Sequence, residues 1–175
     1  MTGNELLNLF GELGLDVGIG WDIFDTHAKD FLEYRINKIE NVTATQKLGI
    51  EKEISSAIEN GWTVDETADA LRERWKIAQN RAPTIARTEM AGAINDSRIA
   101  GFKDVGIQRH EWLTSKDMDV RGNDPNDKYD HLQCEAEVQP FGQLFRCGLT
   151  MPHDPGGEAG NVINCRCITL PVFED

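Results

Sequence analysis

The sequence predicts an α+β protein in which N-terminal amphipathic helices precede a small antiparallel sheet packed on a helix. Two observations predict this class. Apolar residues recur at three- and four-residue steps up to about residue 105, and after Gly106 they alternate with polar residues at a period of two. All four cysteines lie after residue 133, which indicates a local role in the predicted sheet rather than a disulfide scaffold.

The first 42 residues predict a helical arm. A short amphipathic stripe over residues 4–15 is followed by three glycines that should form a joint, namely Gly14, Gly18 and Gly20. A second stripe then continues from Trp21 to about Asn41. We expect this arm to protrude from the rest of the protein.

Residues 43–80 predict a helical lead-in of two helices. Each begins with a capping box, Thr43 with Gln46 and Thr63 with Glu66. Gly61 is a typical stop for the first helix, and the second should run to about Asn80. The first helix carries an apolar stripe of Leu48, Ile50, Ile54, Ala57 and Ile58.

Residues 81–175 predict the main domain, which begins with a helix over Thr84–Val105. Pro83 suits its first turn and Gly106 its end. A stripe of mostly small residues should be buried against the sheet: Ala86, Met90, Ala93, Ile94, Ser97 and Gly101. Glu89 lies beside this stripe, so it should be partly buried and need a partner. Arg121 and Arg166 are the candidates.

The period of two predicts strands over residues 107–114, 132–138, 144–149 and 165–172. A four-residue turn at Gln139–Gly142 would join the middle two in a hairpin and place Cys134 opposite Cys147, as reduced thiols on the buried face. In this pairing His131 would lie on the opposite face of its strand from Cys134.

Cysteines and histidines of this region form a candidate zinc site, because thiolates and imidazoles are the usual zinc ligands. Cys165 and Cys167 should share one face of the last strand, with His153 as a further ligand. A different interpretation stays open, in which the cysteines are small core residues and no cofactor is bound.

Charge and motif content exclude several functions. With 30 acidic and 18 basic residues the net charge is −12, which disfavours strong nucleic-acid binding. No apolar run approaches the roughly 18 to 20 residues of a membrane-spanning helix, so we expect a soluble protein that is not exported. The usual sequence signals of hydrolysis and nucleotide binding are absent, and no enzyme is expected.

A set of residues over about 43–172 resembles the phage Mu F-like minor head proteins, also called the phage head morphogenesis domain. The matching positions are Arg81, Ala82, Ile85, Ala86, Arg87, Thr88, Glu89, Asn95, Gly106, Ile107, Trp112, Asp117, Arg121, His131, Phe141, Pro152, His153, Asp154, Pro155, Asn164, Cys165, Arg166 and Cys167. Matching His131 to the family histidine takes Gly122–Asp130 as a loop insertion. The resemblance implies that the polar motif residues are structural.

The resemblance further implies a structural minor head protein of a tailed phage or prophage, present in the virion and in the host cytoplasm during assembly. Its partners would be the portal and other head or capsid proteins, in an oligomeric particle, with a role in packaging or ejection also open. The N-terminal helices would supply the contact with the partner. The alternative function is a zinc-binding domain with a hydrolase or nucleic-acid-associated role.

Overall fold

The computed structural model describes residues 31–173, which form helices followed by a small sheet, and this confirms the α+β class. Residues 31–37 are helical (α1), and the other helices are α2 (Ala44–Asn60), α3 (Val64–Trp75), α4 (Ala82–Asp104) and the short α5 (Ala159–Val162). The strands are β1 (Arg109–Thr114), β2 (Val138–Pro140) and β3 (Cys167–Val172). The predicted arm helix at 4–15 and its glycine joint lie outside the described residues. No helix within residues 31–173 has the length and apolar character needed to cross a membrane.

Local capping signals set the helix boundaries. Thr43 and Thr63 each accept a hydrogen bond from the backbone of the residue three positions on, whose side chain accepts in return, so both predicted capping boxes are confirmed. Gly61 ends α2 in the left-handed conformation with φ +67°. Helix α3 ends at Trp75 rather than near Asn80, because Lys76 adopts the left-handed conformation there.

The helices enclose one hydrophobic core, whose fully buried residues include Leu32, Ile36, Ile50, Ile54, Leu71, Ile85 and Ala86. Leu48, predicted as part of this face, is instead 69% exposed. Gly49 faces the core in its place, so close to Trp75 that an added Cβ would lie 2.1 Å from the indole Cδ2. Helices α2 and α3 thus approach through a glycine, and the indole Nε1 donates to buried Glu53 at 3.1 Å.

Helix α4 joins this core to the sheet. Its first half contributes Ile85, Ala86, Met90 and Ala93 to the helical core, whereas its second half contacts β3. The predicted burial of the small-residue stripe is confirmed for all but Ile94, which is 36% exposed. The stripe therefore packs on two partners, the preceding helices and the sheet, rather than on the sheet alone.

The sheet is antiparallel with the order β2-β1-β3, so β1 is central. The predicted hairpin of residues 132–138 with 144–149 is wrong. Residues 132–134 form a 3-10 turn, Ala136 has φ +59°, and β2 pairs with β1. Residues 141–150 contain no strand and fold as turns. The period of two in this region reflects loops that alternate inward and outward around a core rather than paired strands.

Candidate functional site

A cluster of cysteines and histidines lies beneath the sheet, and we call His131, His153, Cys165 and Cys167 the Cys–His cluster. All four are buried, each with at most 1% of its surface exposed. Trp112 of β1 packs its ring edge-on to His131, with the centroids 5.2 Å apart. The cluster is therefore enclosed by the central strand and by the loops before β2 and β3.

Backbone geometry brings the two thiols together. Cys165 and Cys167 both point inward, as predicted for a shared face, while Arg166 between them points outward and pairs with Asp117 at 2.9 Å and Asp119 at 2.6 Å. These outer ion pairs hold the start of β3 against the loop after β1. The inner face of the same segment consequently presents two sulfur atoms side by side.

His131 faces both thiols. Its Nδ1 lies 3.6 Å from Cys165 Sγ and 3.5 Å from Cys167 Sγ, and the three ligand atoms all lie within 4.8 Å of one another. Because residues 132–134 form a turn rather than a strand, His131 and Cys134 both point into the core, and the predicted separation of the two onto opposite faces is wrong. The backbone amide of His131 donates to the carbonyl of Arg121 at 2.9 Å, which anchors the turn.

Asn161 fixes the orientation of the His131 ring. The Oδ1 of Asn161 lies 2.7 Å from His131 Nε2, and its Nδ2 donates to the carbonyl of Cys147 at 2.9 Å. Since the Asn161 amide nitrogen is committed to a carbonyl, its oxygen must accept from Nε2–H. The sequence analysis missed Asn161, because nothing in its local pattern distinguishes it from an ordinary loop asparagine.

His153 completes the cluster. It has φ +60° and no exposed surface, and both of its ring nitrogens lack a hydrogen-bond partner among residues 31–173. The ring nevertheless lies close enough to the Cys165 thiol to lower the pKa of that thiol. Its backbone carbonyl accepts a 2.7 Å hydrogen bond from Arg35 of α1, which holds the residue in place.

The two thiols of the cluster differ in their protonation. Hydrogen bonding with Cys167 lowers the pKa of Cys165 far below its usual range, with both imidazoles acting in the same direction, whereas contact with Cys165 and burial raise the pKa of Cys167. Of the two thiols, Cys165 is the one that loses its proton more readily. A nucleophilic cysteine must reach its substrate, and Cys165 is 1% exposed. The arrangement suits coordination of a metal ion better than attack on a substrate.

Cys134 and Cys147 form a separate pair beside the cluster. The Cys147 amide donates to Cys134 Sγ at 3.1 Å, both thiols are free, and both are buried. Their predicted proximity is confirmed, although a turn and a loop rather than a hairpin bring them together. They pack with Trp112, Phe145 and Leu149, as expected for small core residues.

The polar motif of α4 anchors the segment that leads into the cluster. Thr88 Oγ1 accepts from the backbone amide of Asn164 at 3.0 Å, and Arg87 Nη1 donates to the Asn164 side chain at 3.4 Å. Asn164 has φ +58°, a conformation that asparagine tolerates better than most residues. Asn95 further along α4 contacts β3. The motif residues thus hold the turn that places Cys165.

The cation whose charge acts on Glu89 is Arg35, which is neither of the two predicted partners. Arg121 donates to the carbonyl of Ile163 and Arg166 pairs with Asp117, so neither contacts Glu89. Burial raises the pKa of Glu89 to about 7, opposed by the Arg35 charge and assisted by that of Asp96. Arg35 was not predicted as this cation because it lies in α1, far from Glu89 in the sequence. Glu89 and Arg35 line a cavity of about 550 Å³ between α1, α4 and the loop 154–157.

Residues 48–170 match the family described as phage Mu protein F like protein. The chain belongs to this family. Membership identifies the Mu F-like chain as a phage head-related protein, and the match includes the whole Cys–His cluster and the polar motif of α4.

Two relatives of the Mu F-like chain carry no functional description. An uncharacterized protein of Haemophilus influenzae is 23% identical over 140 residues, which cover 80% of this chain and 28% of that protein. The uncharacterized protein YqbB of Bacillus subtilis is 22% identical over 131 residues, which cover 71% of this chain and 41% of the relative. The chain thus spans less than half the length of both relatives. No solved structure matches it significantly.

Proposed function

We propose that this chain is a structural minor head protein of a tailed phage or prophage, which acts in head assembly by binding the portal and other head proteins rather than by catalysis. The observation that carries the proposal is the family match over residues 48–170. The net charge of −12 supports association with proteins over DNA, because phosphate binding needs a basic surface.

We assign most of the portal contact to the N-terminal helices. The described part of α1 supports this assignment, since Leu32 and Ile36 are buried in the core while Phe31 and Tyr34 are 37% and 57% exposed. Exposed aromatic residues are enriched as anchors in protein interfaces. Of the apolar stripe predicted from Trp21 onward, Phe31 lies on this outer face beside Tyr34, whereas Leu32 and Ile36 face the core.

The test is a deletion whose boundary follows the observed packing. Removal of residues 1–30 keeps Leu32, Arg35 and Ile36, which the core requires. We expect the truncated chain to fold, with an unchanged far-ultraviolet circular dichroism signal per helical residue, but to be missing from particles purified from a phage that carries it. Apolar contacts should keep the full-length chain bound to its partner at about 0.5 M salt, where exposed ion pairs are largely screened.

Point variants make the test local. Phe31→Ser with Tyr34→Ser should reduce incorporation, whereas Leu144→Ser, which changes another exposed apolar side chain, should not. Normal incorporation of the folded truncated chain would contradict the assignment of the contact to the N-terminus. Complete absence of the full-length chain from particles would contradict the minor head function itself.

A further inference from the structure

His131, Cys165 and Cys167 of the Cys–His cluster are spaced like three ligands of a tetrahedral zinc ion. Zinc bonds of about 2.3 Å to sulfur and about 2.0–2.1 Å to nitrogen, at the tetrahedral angle, separate the ligand atoms N and S by about 3.6 Å. The observed separations of His131 Nδ1 from the two sulfur atoms are 3.6 Å and 3.5 Å. An ion placed between these three atoms would need no movement of the backbone to reach them.

The protonation of His131 suits a metal ligand. Because Asn161 Oδ1 accepts from Nε2–H, the lone pair of neutral His131 lies on Nδ1, the atom that faces both thiols. An outer hydrogen bond that sets the tautomer and ring orientation is the usual second shell of a zinc-bound histidine. Asn161 is itself held by the Cys147 carbonyl, so the ring is fixed before any ion binds.

Hydrogen bonds within the Cys–His cluster leave some of its buried polar atoms without a partner. One lone pair on Nδ1 serves two thiols, and a thiolate–imidazolium pair of Cys165 with His131 would still leave His153 without a partner. Both nitrogens of His153 are buried and unpartnered among residues 31–173, at a cost of about 1–3 kcal/mol for each polar group so placed. His153 lies outside the three ligand atoms that are within 4.8 Å of one another, so its ring would turn toward the sulfur atoms to share the ion and gain a partner.

We propose that His131, His153, Cys165 and Cys167 bind one zinc ion with a structural role. With the His153 ring turned toward the sulfur atoms, four protein ligands would close the coordination sphere, and their burial leaves no open position for a substrate, which distinguishes a structural from a catalytic zinc site. The ion would join three segments, which carry His131, His153 and the pair of Cys165 and Cys167. Residues 115–166 contain only a 3-10 turn, a three-residue strand and a four-residue helix. Metal ions commonly stabilise regions with so little regular structure.

Metal analysis of the full-length chain tests the proposal. The chain, purified without chelators, should contain one zinc ion per molecule by elemental analysis. After replacement by cobalt it should show the intense d–d absorption of tetrahedral cobalt together with thiolate charge-transfer bands. A metal-free chain that stays metal-free on addition of equimolar zinc, or a cobalt spectrum without thiolate bands, would overturn the proposal.

Variants assign the individual ligands. Cys165→Ser, Cys167→Ser, His131→Gln and His153→Gln should each weaken zinc binding by more than about 100-fold, since loss of an outer partner alone costs about 10- to 100-fold. Asn161→Ala should fall in that smaller range. Cys134→Ala is the matched control, because this buried thiol pairs with Cys147 instead, and it should keep one zinc per molecule.

A measurement on the unmodified chain tests the site even if some variants fail to fold. Because burial protects all four thiols with or without zinc, the measurement is zinc release: titration of the native protein with a mercurial reagent should release one zinc ion per molecule as two thiols are modified. Modification of all four thiols without release of zinc would contradict the site. Loss of metal from Cys134→Ala as complete as from Cys165→Ser would also contradict the assigned ligands.

Discussion

The backbone amide of Thr169 donates a 3.0 Å hydrogen bond to the side-chain oxygen of Asn95, although 74 residues separate them. The Asn95 amide nitrogen donates in turn to the carbonyls of Ala91 and Cys167, at 3.0 Å and 3.4 Å. One fully buried side chain therefore completes the hydrogen bonding of β3 on the side that faces α4. This connection makes the sheet and the long helix a single packed unit.

Asn95→Ala should lower the free energy of unfolding by about 1–3 kcal/mol, because it leaves the buried amide of Thr169 without an acceptor. Urea denaturation followed by circular dichroism measures the change. Asn60→Ala is the control, since Asn60 is exposed at the end of α2 and its removal should cost less than about 0.5 kcal/mol. Equal losses in the two variants would contradict the bridging role of Asn95.

Glu89 should make stability fall as the pH rises. Burial raises its pKa from 4.5 to about 7 in the folded chain, so between these values the folded state holds a proton that the unfolded state has lost. Glu89→Gln removes this loss. The unmodified chain should lose up to about 3 kcal/mol of its free energy of unfolding through this group between pH 4.5 and pH 8, and the variant should not. Denaturant titrations at the two pH values measure it. The exposed Glu73→Gln should leave the pH dependence as it is, and a similar effect of both variants would refute the prediction.

His110 should act in the opposite direction. Burial, with a smaller contribution from Lys103, lowers its pKa from 6.5 to about 4, so in this window the unfolded state takes up a proton that the folded state does not. Stability therefore falls as the pH drops from 6.5 to 4. In Glu89→Gln this fall should become steeper than in the unmodified chain, because the two titrations overlap between pH 4.5 and 6.5. The prediction would be contradicted if the free energies of unfolding of the two proteins changed in parallel between pH 4.5 and 6.5.

Gly49→Ala should destabilise the helical core although alanine favours helices by about 1 kcal/mol over glycine. The new methyl group would overlap the Trp75 indole and displace it from Glu53. A net loss of about 1–3 kcal/mol is expected from such overpacking. A double-mutant cycle with Trp75→Leu provides the control, since the smaller side chain makes room. Strict additivity of the two changes would show that the indole does not limit this contact.

The parts of the fold that depend on neighbours in sequence could be predicted. The capping boxes at Thr43 and Thr63 and the glycine stop at Gly61 act within one turn of helix, so their patterns determine the boundaries directly. The end of α3 at Lys76 could not be predicted in this way. Nothing in the residue type of Lys76 favours the left-handed conformation that ends α3 five residues early.

The candidate site was only partly predictable. Alternation placed Cys165 and Cys167 on one face, but it also suggested a strand through His131, where the chain turns instead. Asn161 and Arg35 were missed because they contact the site across about 30 and 118 residues, and contacts at such a separation leave no periodic signal. Predicted boundaries at residues 42 and 80 stay predictions, although Leu32 lies in the same core as α2 to α4.

Arg35 gives the molecule a defined path for mechanical load. Its guanidinium lies against Gly92 of α4, where a Cβ would come within 2.2 Å, and it bonds both Asp96 and the His153 carbonyl. A pull on the chain ahead of residue 31 would thus be transmitted sideways, into the middle of α4 and into the turn that holds His153. The buried ion pair of Arg35 with Asp96 would have to separate before α1 could move away from α4. The contacts of Arg35 therefore stabilise the domain against a force applied from its N-terminal side.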